Sequence, residues 1–183
     1  GIIPAVLLLS NYEVCMSKTQ EFQVGDKVVY PSHGVGEITE IESQAIAGTT
    51  LEVYVISFPQ DKMTLRVPVT RASISGLRTL ANKTSINEVY NILNGKPKRG
   101  NKMWSRRAQE YEAKINSGEI EAVAEVVRDL YKNVDNDRSY SERTIYEEAL
   151  NRLASEIAIL EKISEADSTE KLVELLKEKA LAA

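Results

Sequence analysis

The chain has 183 residues, 43% hydrophobic and 27% charged, with a formal net charge of −4, room for one large or two small domains with a real core. Net acidity disfavours a protein that coats nucleic acid indiscriminately, a class that is basic overall. The single cysteine (Cys15) and single histidine (His33) exclude an intrachain disulfide and a Cys/His zinc site, and such cysteine usage suits a reducing cytosol.

Residues 1–21 are unlike the rest of the chain. The apolar run Ile2 to Leu9 is too short to span a bilayer, and no basic residue precedes it as a signal peptide requires. Met16 makes a natural start, so the residues before it read as a loose extension. From Phe22 the pattern is one of short strands separated by P-S-H-G, A-G-T-T and P-Q-D-K turns. Val24, Val28 and Tyr30 share one parity. Val35, Ile38 and Ile41 come next, with a bulge or twist between them. Val53, Val55 and Ser57 then alternate with Tyr54, Ile56 and Phe58. Met63, Leu65 and Val67 alternate with Thr64 and Arg66, and either set could face inward. Four or five strands in so short a span predict a small, strongly bent antiparallel barrel or half-barrel over residues 22–80. His33 reads as a turn residue.

Beyond Arg78 the apolar period becomes helical. Ser85 with Glu88 reads as a capping box for a helix with Ile86, Val89, Tyr90 and Leu93 on one face, ended by Gly95 and Pro97. A second helix runs from near Met103 to Asn116 with Ala108, Tyr111 and Ile115, and Gly118 stops it. A third, Glu119 to Lys132, carries Ile120, Val123, Ala124, Val127, Leu130 and Tyr131. After the polar connector N-V-D-N-D-R-S, Ser141 opens a long helix with Tyr146, Leu150, Leu153, Ile157 and Leu160. Asp167 or Ser168 caps a last short helix with Leu172, Leu175 and Leu176. Amphipathic helices of this kind fold only together, so residues 81–183 predict an all-α bundle. The fold class is therefore α+β, a small β domain followed by helices.

Charge is unevenly spread. Residues 83–114 carry a net +5, and residues 115–183 a net −7. The centre of the basic segment is N-G-K-P-K-R-G-N-K-M-W-S-R-R, Asn94 to Arg107, with Lys96, Lys98, Arg99, Lys102, Arg106, Arg107 and the chain's one tryptophan, Trp104. Cations beside an apolar ring suit nucleic acid, since the cations neutralise phosphate and the ring stacks on or wedges against a base. The same residues also fit a tryptophan packed on the helical core beside a solvated basic face. The helix from Met103 is less apolar than the others, which leaves a face there for a partner. Phosphate-loop, nucleophile-elbow and H-E-x-x-H motifs are absent from the sequence, and nothing resembles a tuned acid–base pair, so an enzyme is not expected. No cofactor is expected either.

Two stretches resemble a known family. V-G-D-K-V-V-Y-P-S-H-G-V-G (Val24 to Gly36) with T-L-R-V-P (Thr64 to Pro68) resembles the polymerase-interacting domain of CarD/CdnL proteins. W-S-R-R (Trp104 to Arg107), followed by S-G-E-I-E-A-V-A-E-V-V-R-D-L-Y (Ser117 to Tyr131), resembles the helical domain of the same family. The likeness covers Phe22 to the C-terminus. The first motif is shared with the transcription–repair coupling factor, a far longer protein with translocase motifs missing here. The resemblance implies a bacterial regulator of transcription initiation, located in the cytoplasm with RNA polymerase and expected to be a monomer. Its Tudor-like domain would dock on the polymerase β subunit, and its helical domain would contact promoter DNA at the upstream edge of the −10 region, stabilising the open complex.

Carried onto this chain, Arg66, flanked by Thr64 and Pro68, is the polymerase-facing arginine. Trp104 is the minor-groove wedge, and Arg106 and Arg107 lie near the phosphates. Three positions depart from the family pattern. Gln44 falls where some relatives use a basic residue toward the β subunit, Gln109 stands at an often basic place, and Met103 replaces a common asparagine. DNA contact is thereby shifted onto the Lys96 to Lys102 loop. The rival readings are an architectural DNA-binding protein independent of polymerase, and an adaptor whose helices never touch DNA.

Overall fold

The structure is a computed structural model and describes residues 22–132 and 139–182. The expected N-terminal extension, its Met16 start, and Asn133 to Arg138 of the polar connector lie outside the described residues. Strands β1 (Lys27–Tyr30), β2 (Gly34–Ile46), β3 (Thr49–Phe58), β4 (Met63–Pro68) and β5 (Arg78–Thr79) precede helices α1 (Lys83–Asn94), α2 (Trp104–Ile115), α3 (Ile120–Leu130), α4 (Tyr140–Glu161) and α5 (Glu165–Ala182).

The strands form one antiparallel sheet in the order β4-β3-β2-β1-β5. Pairing breaks register between Ile38 and Glu40, so a bulge bends the long β2. Bending brings the inner face around Ile38, Tyr54, Ile56, Phe58, Val67 and Leu77, with Met63 and Leu65 packed on them. Of the two parities that β4 allowed, the structure takes the one with Met63, Leu65 and Val67 inward. The sheet does not close into a barrel, because β4 and the two-residue β5 are not paired to one another. Val24 lies before β1 and is 59% exposed, so it does not share the core parity of Val28.

The helices build a second core around Val89, Leu93, Ile115, Val127, Leu130, Leu153 and Ile157. Their boundaries follow the apolar periodicity, but three caps differ from the sequence reading. Asn82, not Ser85, caps α1: its side chain accepts from the Ser85 N–H, which places the cap one turn earlier. Ser139, not Ser141, caps α4 by accepting from the Glu142 N–H. Helix α5 is not short: it has 18 residues, and the Ser164 hydroxyl accepts from the Asp167 N–H. Ser168 is instead fully buried, its hydroxyl donating to the Ala154 carbonyl of α4. In each case several Ser, Asn or Asp residues stood within one turn, and the one whose side chain reaches a free N–H serves; at Asn82 and Ser139 the backbone is extended, as a cap requires.

The two cores meet across a polar seam. Arg78 of β5 forms a bidentate pair with Glu156 of α4, at 2.9 and 2.8 Å, and its Nε donates to the Gly118 carbonyl at 2.5 Å. Glu156 also accepts from the Ala81 N–H at 2.7 Å. Its side chain is 4% exposed, and its two oxygens accept from three donors, the kind of charge-assisted contact that replaces lost water. One turn away Arg152 donates to the carbonyls of Pro31 and Ser32 in the β domain and of Ile115 in the helical domain, at 2.9, 2.6 and 3.0 Å. Burial pushes the Arg152 guanidinium down, and Glu148 and Asp61 oppose that shift. Gln60 donates to the Ser155 hydroxyl and the Glu165 carboxylate, both at 2.7 Å.

Removing one partner of a buried pair leaves the other without its counter-charge. Glu156→Ala should therefore lower unfolding free energy by about 3 kcal/mol, at the low end for broken buried pairs because Arg78 keeps some solvent contact. Urea denaturation measures it, and a change below about 0.5 kcal/mol, the range of ordinary surface substitutions, would contradict the assignment.

Candidate nucleic-acid interface

The basic segment forms the loop between α1 and α2 and the first turn of α2. Its backbone is pinned from beneath. The Asp129 carboxylate, 5% exposed, accepts from the Lys98 N–H and from the Arg128 Nε, both at 2.9 Å. The Lys179 ammonium of α5 donates to the carbonyls of Leu93 and Gly95, which neutralises the open C-terminal end of α1. Burial pushes the Lys179 pKa below its usual range; Arg128 adds to that shift and Asp129 opposes it. Sequence reading missed Arg128, Asp129 and Lys179. The one available signal was a charged pair, Arg128 and Asp129, lodged between the apolar Val127 and Leu130 of α3.

With its backbone held, the loop turns its side chains outward. Lys96, Lys98, Arg99 and Lys102 are exposed, as is Arg106 in the first turn of α2. None of these five side chains forms an ion pair among the described residues. Helix α2 begins without a side-chain cap and with no acidic residue in its first turn. The uncapped N–H groups add positive partial charge at the place where the cations gather.

Trp104 is half-buried, with one part packed on the helical core. Its ring centroid lies 6.3 Å from that of Tyr111, with planes inclined at 48°. The two arginines beyond it go different ways. Arg106 is free, whereas Arg107 lies against the aromatic pair, 5.5 Å from the Trp104 centroid and 5.7 Å from that of Tyr111. The sequence brings Trp104, Arg106 and Arg107 together, and the fold leaves Arg106 exposed and Arg107 half-buried.

The β-domain candidates form a separate surface. Thr64 and Arg66 are exposed on the outer face of β4, and Pro68 is half-buried there. Arg66 Nε donates to Glu42 at 3.3 Å, a pair lying across β3 with half of the arginine side chain in solvent. An exposed pair of this kind contributes about 0–1 kcal/mol, so a partner's carboxylate can replace Glu42 at little expense. Among the described residues, no strand pairs the other edge of β4. Gln44 is half-buried on β2 opposite Leu51, and Gln109 is exposed on α2.

Residues 22–81 match the family model described as the CarD-like/TRCF RID domain, and residues 88–174 match that of the CarD C-terminal domain. The chain belongs to the CarD-like family. A Bacillus subtilis (strain 168) protein named "Putative transcription factor YdeB" is 30% identical over 145 residues, which cover 79% of this chain and 95% of that protein. CarD-like proteins are transcription regulators that interact with RNA polymerase, and this CarD-like chain is a transcription regulator at that level. Its two surfaces fall one in each matched domain: β4 in the first, the basic loop with Trp104 in the second. Among the described residues no helix is long and apolar enough to cross a membrane, and no cluster of His, Cys, Asp or Glu could hold a metal ion.

Met103 occupies the N-cap of α2 with extended backbone and a 58% exposed side chain. An asparagine there could accept from the free N–H groups of the first turn. Met103→Asn should stabilise the protein by about 1 kcal/mol, the usual worth of a cap. A thermal melt would read this as a rise of about 2–4 °C, and an unchanged or lower midpoint would show that the first turn is already satisfied.

Proposed function

We propose that this protein binds the RNA polymerase β subunit through the outer face of β4 and stabilises the open promoter complex through Trp104 and the basic loop. The observation that carries the proposal is the combination at the start of α2. A half-buried indole packed on the core shares its segment with five exposed cations that have no ion-pair partner among the described residues, on a protein whose net charge is −4. Unpaired cations clustered at an uncapped helix start favour phosphate, and a partly presented indole can enter the minor groove or cover a terminal base step.

So few cations neutralise only a few phosphates, which makes binding to free duplex weak and salt-sensitive. Attachment to polymerase overcomes that weakness. Once the β domain is docked, the loop meets promoter DNA at high effective concentration, and weak contacts suffice. Phosphate contacts of this type position a protein without reading sequence, so the response of a promoter follows how easily it melts rather than a recognition motif. In this mechanism Trp104 acts as a wedge against re-pairing at the upstream edge of the bubble, and Arg66 is the principal charge presented to the β subunit. The site of action is then the bacterial cytoplasm, wherever polymerase engages promoters.

Two outcomes test the two halves. Trp104→Ala should shorten the lifetime of the promoter open complex by about five- to a hundredfold, the range of an aromatic contact with a base. The expectation includes unchanged polymerase affinity. A competition assay measures the lifetime, and an unchanged lifetime with polymerase bound would reject the wedge. Arg66→Glu should abolish co-purification with the β subunit while the melting midpoint stays within a few degrees, because the substitution sets like charge against a partner selected for arginine. Retained co-purification would move the docking surface elsewhere.

A further inference from the structure

We infer that Arg107 is a positioning residue that fixes the angle and exposure of the Trp104 indole, not a phosphate contact. The inference rests on the wedge reading of Trp104 and assigns the device that holds the wedge.

The guanidinium of Arg107 is engaged on several sides by its own protein. It lies 5.5 Å from the Trp104 centroid and 5.7 Å from the Tyr111 centroid, within cation–π distance of both rings. Its Nη2 donates to the Tyr111 hydroxyl at 3.1 Å. Its Nε is buried and has no hydrogen-bond partner. On the loop side, a Cβ added to Gly100 would come within 3.4 Å of the Arg107 Cγ and 3.5 Å of its Nε, so the loop backbone packs on the arginine stem. Tyr111 itself is 4% exposed and belongs to the helical core. A chain of contacts thus runs from the core through Tyr111 and Arg107 to Trp104, with the basic loop closing over it.

Spacing explains the arrangement. Residues 104, 107, 108 and 111 recur at three and four along α2 and therefore share one face. Ala108, small and half-buried on that face, leaves room for the larger groups around it. An N–H left without an acceptor in a buried place is unfavourable. That donor is tolerated here because the cation sits beside both rings at once, within reach of each, and so holds the indole at a set inclination to Tyr111. Lysine carries the same charge but has neither the plane nor the fork, so it cannot reproduce the two ring contacts together with the bond to the Tyr111 hydroxyl. Arg106, the neighbour in sequence, points away and remains the cation available to phosphate.

The test compares Arg107→Lys, Tyr111→Phe and Trp104→Ala in the full-length chain. Trp104 is the one tryptophan of the sequence, so its emission reports this site alone. In the protein without DNA, Arg107→Lys should increase quenching of that emission by acrylamide and lower its anisotropy, while circular dichroism stays unchanged. With polymerase and promoter, Arg107→Lys should shorten open-complex lifetime by about fivefold, the worth of a modest cation–π contact. The dependence of that lifetime on salt should match wild type, since no phosphate contact is lost. Tyr111→Phe, which keeps the ring and removes only the acceptor, should shift quenching in the same direction to a smaller extent, and it supplies the comparison if the lysine variant folds poorly.

In a Trp104→Ala background, Arg107→Lys should have no further effect on lifetime, because positioning requires something to position. Wild-type quenching in both Arg107→Lys and Tyr111→Phe would overturn the proposal. So would a flatter salt dependence in Arg107→Ala with Arg107→Lys behaving as wild type, the signature of a phosphate contact. If Trp104→Ala itself left the lifetime unchanged, the wedge reading would fall, and the quenching measurements would still decide whether Arg107 holds the ring.

Discussion

The Glu156 carboxylate is the group on which the relation between the two halves depends. Each half has its own apolar core, and apolar side chains of both, Val29 and Val35 from the one and Ile120 and Leu153 from the other, line the junction around this carboxylate. A carboxylate this buried is tolerated only where hydrogen bonds replace its lost water. Glu156 obtains them from the fork of Arg78, on the last strand, and from the Ala81 N–H in the connection to α1. The pair is directional in a way that apolar contact is not. It fixes which turn of α4 faces β5 and, through Arg152 on the same helix, where the Pro31 turn of the β domain lies against the end of α2.

That directionality matters for a regulator with two surfaces. The outer face of β4 and the start of α2 belong to different cores, and neither surface alone would transmit a position to the other. A polar seam carries less association energy per area than an apolar one but allows fewer alternative registers. Here three residues of α4, Arg152, Ser155 and Glu156, hold partners in the β domain or in the segment leading out of it, so sliding α4 along the sheet would break all of their bonds together.

Much of this was legible in the residues. Period-two alternation in β3 and β4 and period-3.6 stripes in the helices gave the α+β class, and a charge reversal around a lone tryptophan marked the basic loop. The parity of β4 needed the structure, because both of its faces carry apolar or long side chains. The caps at Asn82, Ser139 and Ser164 were ambiguous for a local reason: each had rival polar residues within one turn, and backbone geometry decides among them. The seam could not be read at all. Arg78, Arg152 and Glu156 look like ordinary charged positions in sequence, and their value comes from partners up to 121 residues away. The different fates of Arg106 and Arg107 are of the same kind. Identical neighbours in sequence are separated by the roughly 100° step between successive helix residues, which sends one to solvent and the other against a pair of rings.

Pro31 has a consequence of its own. It is gripped between two left-handed glycines, Gly76 (φ 84°) of the β domain and Gly118 (φ 79°) of the helical domain, where an added Cβ would come within 2.8 and 3.0 Å of its ring. The ring therefore works as a bearing shared by both halves. A side chain introduced at either glycine would be strained in its own backbone and would also prise the halves apart at this point. Such a change is angular, and an angular error grows with distance from its axis. The indole edge, at the far end of α2 from Pro31, would then be displaced by more than the bearing itself. Two residues that touch neither polymerase nor DNA in this mechanism thus set the tolerance to which the whole instrument is built.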